Sequence, residues 1–422
     1  MQLPENNGSK YYPWLIWGLG AAFFFVEYFA RVSPSVMVPE LMQSFQIKAL
    51  GIGTLSACFY YAYISMQVPV GALVDRFGAH RLLTVTAIIC ASGCFLFAFS
   101  QHILLAQLAR LLMGFGAAFA FVGTLKLATL WFPPHRFGLL AGMTQALGML
   151  GVAVALSSLA VTVHALGWRM TVGMIGMVLL ILAILIGIFV RDRPIIAATS
   201  SKSTIGLWQG LVLVLRNPQT WVNAAFAGLL YAPTAAFAEL WGVSYLVRVY
   251  SISTSMAATA VSVIFIGWAV GGPLMGWISD SIQKRRPVMM FSIMMSFLLM
   301  TIILYLPPIW LPLLFLLLFA YGVVNAGLVV SYAVASEINF RPIAGTSMAF
   351  SNMASVIIGA ALQPIIGFML DMFSHGVVDN NGMQFYSAQD YRMSMVALPL
   401  CLLLGSVVVL WVKETYCKVR EE

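Results

Sequence analysis

From Tyr11 onward the chain is a succession of apolar runs, each about 20 residues or longer, separated by short segments that carry most of the charge. A run of that length spans the hydrocarbon core of a bilayer as a helix. About twelve such runs can be counted, near residues 13–39, 51–73, 81–100, 103–132, 138–165, 168–190, 219–247, 254–279, 287–306, 309–335, 344–372 and 393–413. Barrel strands would read instead as shorter alternating segments of about ten residues. Only 9% of the 422 residues are charged and 61% are hydrophobic. Soluble domains carry about a quarter charged residues, so the expected class is an all-α integral membrane protein.

Basic residues set the orientation. One set of connections holds Lys10, Arg76, Arg81, Arg136, Arg191, Arg193, Lys202, Arg216, Lys284, Arg285, Arg286, Arg341, Lys413, Lys418 and Arg420. The opposite set holds Lys48, Arg169, Arg248 and Arg392. Both termini are therefore expected in the cytoplasm, with the protein multi-pass in the cell membrane. The net charge of +8 lies at helix ends, which gives no reason to invoke nucleic acid. The first run is too long for a signal peptide and lacks a small-residue cleavage site. Cys58, Cys90, Cys94 and Cys401 lie in apolar runs and Cys417 in the tail, without the spacing of a metal set. No phosphate loop or nucleophile triad is present, so neither an enzyme nor an ATP-driven pump is expected, and no cofactor.

The chain also repeats itself. Asp75 after Gly71 recurs as Asp280 after Gly276, and Trp14 recurs as Trp221, both at an offset of about 205 residues. Internal repeats in a helical membrane protein point to a secondary transporter with its site between the repeats. The expected organisation is a cytoplasmic N-terminus (1–12), a six-helix bundle (13–190), a cytoplasmic linker (191–218), a pseudo-symmetric second six-helix bundle (219–413) and a tail (414–422). The segment from Phe373 to Tyr391, with DNNG and scattered acids, is the one sizeable outer loop.

Charges inside the runs are the candidate site. Glu27 and Arg31 lie four apart in the first run, on one helix face in the favourable order. A charge at membrane depth costs at least ~2.5–3.5 kcal/mol and faces a polar interior. By the helical rise, Arg31 and Arg110 on the fourth span lie ~12 and ~10 Å below the outer surface. Arginine grips carboxylate or phosphate through a planar fork, so the two are expected to bind an anionic group together. Glu239, past the kink expected at Pro233, would oppose them from the second half, either pairing with the first half when an outer gate closes or holding a substrate amine. Glu27 and Glu239 are the candidate proton carriers. Tyr60, Tyr61, Tyr63, Gln145, Tyr231, Trp268, Tyr321, Asn325, Asn352 and Gln363 add polar or aromatic groups near mid-depth. Asn325 and Asn352 stand out, because buried amides need partners. Lys126 lies ~160° around the fourth helix from Arg110, which favours an inner-end or inter-helix role. Asp371 and His375 read as loop residues.

The string Gly71-Ala-Leu-Val-Asp75-Arg76-Phe-Gly78-Ala-His80-Arg81 resembles the loop 2–3 signature of the major facilitator superfamily. In it Gly71 would allow close helix approach, Gly78 a tight turn, and Asp75 a bond to a neighbouring helix N-terminus. Gly276-Trp-Ile-Ser-Asp280 with Lys284-Arg285-Arg286 is a weaker echo at loop 8–9, and Leu108-Ala-Arg110-Leu-Leu-Met-Gly114-Phe-Gly116 resembles the family's fourth-helix motif. The resemblance implies two bundles that rock about a central site. Span five, with Gly148-Met-Leu-Gly151-Val-Ala, lacks the proline of the drug/proton antiporter motif, which argues against export. The Tyr28 to Val36 segment resembles the first-helix Tyr-x-Asp-Arg string of the anion:cation symporters, with Ala30 in place of the acid. SPSVM, LMQSF and the segment from Lys126 to Pro133 look like a bacterial importer branch for amino acids, nucleosides or carboxylate siderophores.

These features support a monomeric, proton-coupled importer of a small organic anion or zwitterion. The alternatives are a nucleoside or siderophore importer, a proton-antiport exporter of a drug or metabolite, and a membrane receptor that binds without carrying.

Overall fold

The computed structural model describes residues 11–133, 136–192, 207–306, 309–340, 343–374, 376, 378 and 384–418. Lys10, Arg193, Lys202, Arg341, His375, Arg420, half of the linker and part of the 373–391 loop lie outside them.

Among the described residues, twelve helices long and apolar enough to cross a membrane follow one another. They are α1 Tyr12–Val36, α2 Ala49–Met66, α3 Ala79–Phe99, α4 Ile103–Trp131, α5 Phe137–Leu166 and α6 Trp168–Phe189 in the first half. In the second are α7 Pro218–Tyr250, α8 Thr254–Ile282, α9 Arg286–Tyr305, α10 Leu311–Glu337, α11 Ala344–Phe373 and α12 Ala388–Trp411. With an even number of crossings, the chain enters and leaves on one face, called here the termini face.

The packing repeats. In the first half α1 lies on α5, α2 on α4, and α3 on α4 and α6; in the second α7 lies on α11, α8 on α10, and α9 on α10 and α12. Lipid is as apolar as leucine, so these contacts depend on close fit. Glycine provides it: a Cβ on Gly114 would collide with the Phe59 carbonyl oxygen, and one on Gly322 with that of Ile264. The halves meet along α2 with α11 and along α5 with α8.

Charged residues at the termini face tie helix ends within each half. Arg285 pairs with Glu337 at 2.6 Å and Asp280 at 2.6 Å. Glu414, just past α12, accepts from the amides of Arg285 and Arg286 at 2.7 and 2.9 Å. Partial burial disfavours its charge, but those amides and the ones of Tyr416 and Thr415 outweigh it and hold the carboxyl below its ordinary range. In the first half Asp192, just past α6, accepts from the His80 amide at 3.1 Å at the start of α3. Asp75 was expected at a helix N-terminus and is instead paired with Lys126 at 2.6 Å. Its side chain is 67% exposed, and exposed pairs are worth roughly 0–1 kcal/mol. Lys126→Ala should therefore lower unfolding stability by no more than about 1 kcal/mol in chemical denaturation.

Gly78 turns with φ +85°, as expected. Gly71, expected at a close helix approach, has nothing within 4 Å of where a Cβ would sit, and neither does Gly276. Arg81 is exposed, and Arg76 lies over the Phe77 ring at 5.3 Å.

Candidate functional site

The site is built where helices are irregular. Helix α1 runs regularly to Val32 and then tightens into a 3₁₀ turn, Ser33–Val36. Pro34 has no N–H, so it leaves the carbonyl of Ala30, four residues earlier, without its helical partner. Arg110 of α4 takes it, donating Nη1 to the Ala30 oxygen at 2.6 Å and Nη2 to the Arg31 oxygen at 3.0 Å. A cation there also faces the negative end of the α1 dipole.

The corresponding helix of the second half is broken in the other direction. α7 is α-helical to Pro233 and then widens into a π-helical stretch, Thr234–Trp241. Pro233 thus marks a change of helix type. Asn325 of α10 donates to the Leu230 carbonyl at 2.9 Å and to Ser296 at 3.3 Å, and accepts from Thr234 at 2.9 Å. Tyr321 shares a 3.1 Å hydrogen bond with Thr234. Gln363 of α11 donates to the Ala235 carbonyl at 3.0 Å.

The consequence is a sorting of the expected site residues. Arg110 is 0% exposed and its forked nitrogens are committed to backbone carbonyls. Those nitrogens are thus spent on α1, where Arg110 was expected to share an anionic group with Arg31. Asn325 is fully buried and bonded within its own half, so it braces α7. Gln145 is exposed on α5. Asn352 bridges the halves, donating to Gln67, just past α2, at 3.0 Å and accepting from Tyr332 at 3.0 Å.

Glu27, Arg31 and Glu239 remain. Arg31 Nη2 donates to Glu27 Oε1 at 2.9 Å. Both are sealed in, Glu27 at 0% and Arg31 at 4% exposure. The guanidinium lies 4.4 Å from the Tyr28 ring centre, 4.7 Å from that of Tyr63 and 5.4 Å from that of Phe59, a cation–π enclosure. Each partner keeps one atom unspent: Glu27 Oε2 and Arg31 Nε are buried without a partner, as are Arg110 Nε on α4 and Trp268 Nε1 on α8. Glu239, in the π-helical stretch, accepts from Tyr231 at 2.7 Å and from Tyr60 of α2. Tyr231 meets Trp268 edge-to-face at 5.7 Å. Among the described residues no cluster of metal-ligating side chains occurs.

The family model of the Major Facilitator Superfamily matches residues 20–364. The chain belongs to that superfamily. It is 26% identical over 282 residues to a protein of Cupriavidus necator named as the probable sulfoacetate transporter SauU, a match that spans 64% of this chain and 66% of that one. It is 28% identical over 279 residues to the hexuronate transporter of Bacillus subtilis, spanning 63% of this chain and 65% of that one. The chain thus spans just under two thirds of these relatives' length. The fold matches the crystal structure of a bacterial homologue of the human lysosomal transporter Spinster, with a TM-score of 0.80 at 16% identity, covering 96% of this chain and 98% of that one.

In the sequence Tyr60 and Tyr63 do not stand out from the other aromatic residues near mid-depth. Their i, i+3 spacing puts both on one face of α2, a signal that singles them out once Arg31 is placed against that helix.

Proposed function

We propose that this protein is a secondary active transporter that imports a small organic anion or zwitterion with protons, by alternating access, across a bacterial inner membrane. The termini face is then the cytoplasmic one, and the carrier acts as a monomer. Glu27 and Arg31 carry the reading: they are a buried ion pair in which each partner keeps one unsatisfied atom. A carboxylate or sulfonate of the substrate takes the open edge of Arg31. Drawing the guanidinium away from Glu27 removes what stabilises that carboxylate's charge in a buried setting, and Glu27 then takes up a proton. Substrate and proton are thereby loaded together. Glu239, with Tyr60 and Tyr231, senses the same exchange from the second half. Relatives named for a sulfonate-carboxylate and for sugar acids support an anionic group on the substrate.

The test is uptake into proteoliposomes with an imposed pH gradient, using sulfoacetate and hexuronates as first probes. Glu27→Gln should retain exchange of labelled substrate at equal concentrations on both sides. It should lose accumulation driven by the pH gradient. Accumulation that survives in Glu27→Gln removes Glu27 from the coupling step.

A further inference from the structure

The face opposite the termini is closed by a contact that sequence alone places in a loop. Asp371 is not a loop residue: it lies in the last turn of α11. Helix α2, in the other half, starts at Ala49 after Lys48, and no side chain of its own caps its first turn. Asp371 supplies the cap from across the interface. Its Oδ1 accepts from the Ala49 amide at 3.1 Å, and its Oδ2 from the Leu50 amide at 2.9 Å. Tyr386 completes the arrangement, donating its hydroxyl to Asp371 Oδ1 at 2.5 Å and accepting from the Ala49 amide at 3.0 Å. Tyr386 is itself held at the entry to α12, next to the Ser387–Asp390 capping box. A carboxylate at a helix N-terminus makes charge-assisted bonds to otherwise orphaned amides.

Below this cap the two backbones touch. A Cβ on Gly53 would lie 2.5 Å from the Gln363 carbonyl oxygen, and one on Gly367 would collide with the Ala49 carbonyl oxygen. Parting α2 from α11 at this face exposes Gly53 and Gly367. It also breaks the amide bonds to Asp371 and the Ala49–Tyr386 bond.

We infer that Asp371 and Tyr386 form a latch between the halves that holds the face opposite the termini shut and is released each time that face opens. The inference rests on the alternating-access reading, but its test does not need transport. Separating the halves costs α2 its N-terminal cap, so the bonds from Asp371 favour the closed arrangement.

The test uses a reporter on the other inter-half contact. Ser157 of α5 and Ser262 of α8 are hydrogen-bonded across the interface at 3.3 Å. Both are replaced by Cys in a chain whose Cys58, Cys90, Cys94, Cys401 and Cys417 are changed to Ala. Oxidation by copper phenanthroline then reports how much of the time the halves are closed. Asp371→Ala should slow cross-linking several-fold, and Tyr386→Phe should slow it to a smaller degree. Unchanged cross-linking, even with a lowered unfolding temperature, would reduce Asp371 to a static helix cap and overturn the latch. If Asp371→Ala does not fold, the rate in Tyr386→Phe alone decides. Altered cross-linking in a protein that moves no solute would keep the latch and remove the carrier reading instead.

Discussion

Arg31→Ala should abolish uptake in proteoliposomes and also weaken the fold, and the two effects can be separated. Removing Arg31 leaves Glu27 as an uncompensated charge inside the bundle, and breaking a buried pair in this way costs about 3–5 kcal/mol. Loss of transport in that variant would therefore be ambiguous by itself. The double variant Glu27→Gln with Arg31→Met removes both charges and keeps the volume, and replacing a buried pair by neutral groups is often close to neutral for stability. Its unfolding midpoint should return to within about 1 kcal/mol of the parent, while uptake stays absent. Arg31→Lys should not restore uptake either. A lysine offers a point charge rather than a planar fork, and it cannot meet Glu27, the three rings and a guest at once. The measurements are a denaturation midpoint and initial uptake rates for all three variants. A double variant that carries substrate at an appreciable rate would mean that the guest is held elsewhere, and Arg31 would become a packing residue.

The limits of the sequence reading follow a physical line. Helical rise turns residue number into depth, so α1 and α4 could be aligned in advance: Arg110 does reach the level of Arg31, and its side chain ends on the Arg31 carbonyl. Direction around the helix axis is set by the neighbours, which no single helix specifies. That is why Arg110 was expected to face a guest and instead faces carbonyls. The clue was present in Pro34, since a proline in the last turn of a helix strands a carbonyl that a nearby cation can satisfy. Asn325 followed the same pattern, because buried amides need partners, but the partner is the widened backbone of α7 and not a substrate. Asp75 and Gly71 differ for another reason. Their expected contacts at a helix N-terminus and a close helix approach depend on which neighbour each meets, and here Asp75 meets Lys126 while Gly71 meets nothing within 4 Å. Asp371 was unreadable as a latch because its partners, Ala49 and Leu50, contribute backbone amides, which carry no sequence signal at all. The two-bundle architecture was legible throughout, since it depends only on run length, charge at the ends and the repeat.

Gly114→Ala should be among the most damaging single-methyl changes at the described glycines, with Gly322→Ala its counterpart in the second half. Both positions face a backbone carbonyl, that of Phe59 or Ile264, at a separation with no room for a Cβ. A side chain can rotate away from an added methyl, but a helix backbone cannot. The response must be a displacement of α2 from α4, or of α8 from α10, and overpacking of this kind costs about 1–3 kcal/mol. The shift also removes the close Cα–H···O contacts that such glycines permit. Opposing this, alanine is intrinsically better than glycine in a helix by about 1 kcal/mol. Gly71→Ala meets nothing within 4 Å and measures that gain alone, so it should be neutral or slightly stabilising. The difference between Gly71→Ala and Gly114→Ala then isolates the cost of separating two helices. Phe59 is the residue that moves, and its ring faces both Arg31 and Arg110, while Tyr60 and Tyr63 ride on the same helix. Gly114→Ala should therefore weaken substrate binding as well as stability, whereas Gly322→Ala, whose partner Ile264 lies on α8, should lower stability with a smaller effect on binding. Denaturation midpoints and substrate affinities for the three variants test this together. Equal midpoints for Gly71→Ala and Gly114→Ala would show that α2 and α4 are not in backbone contact.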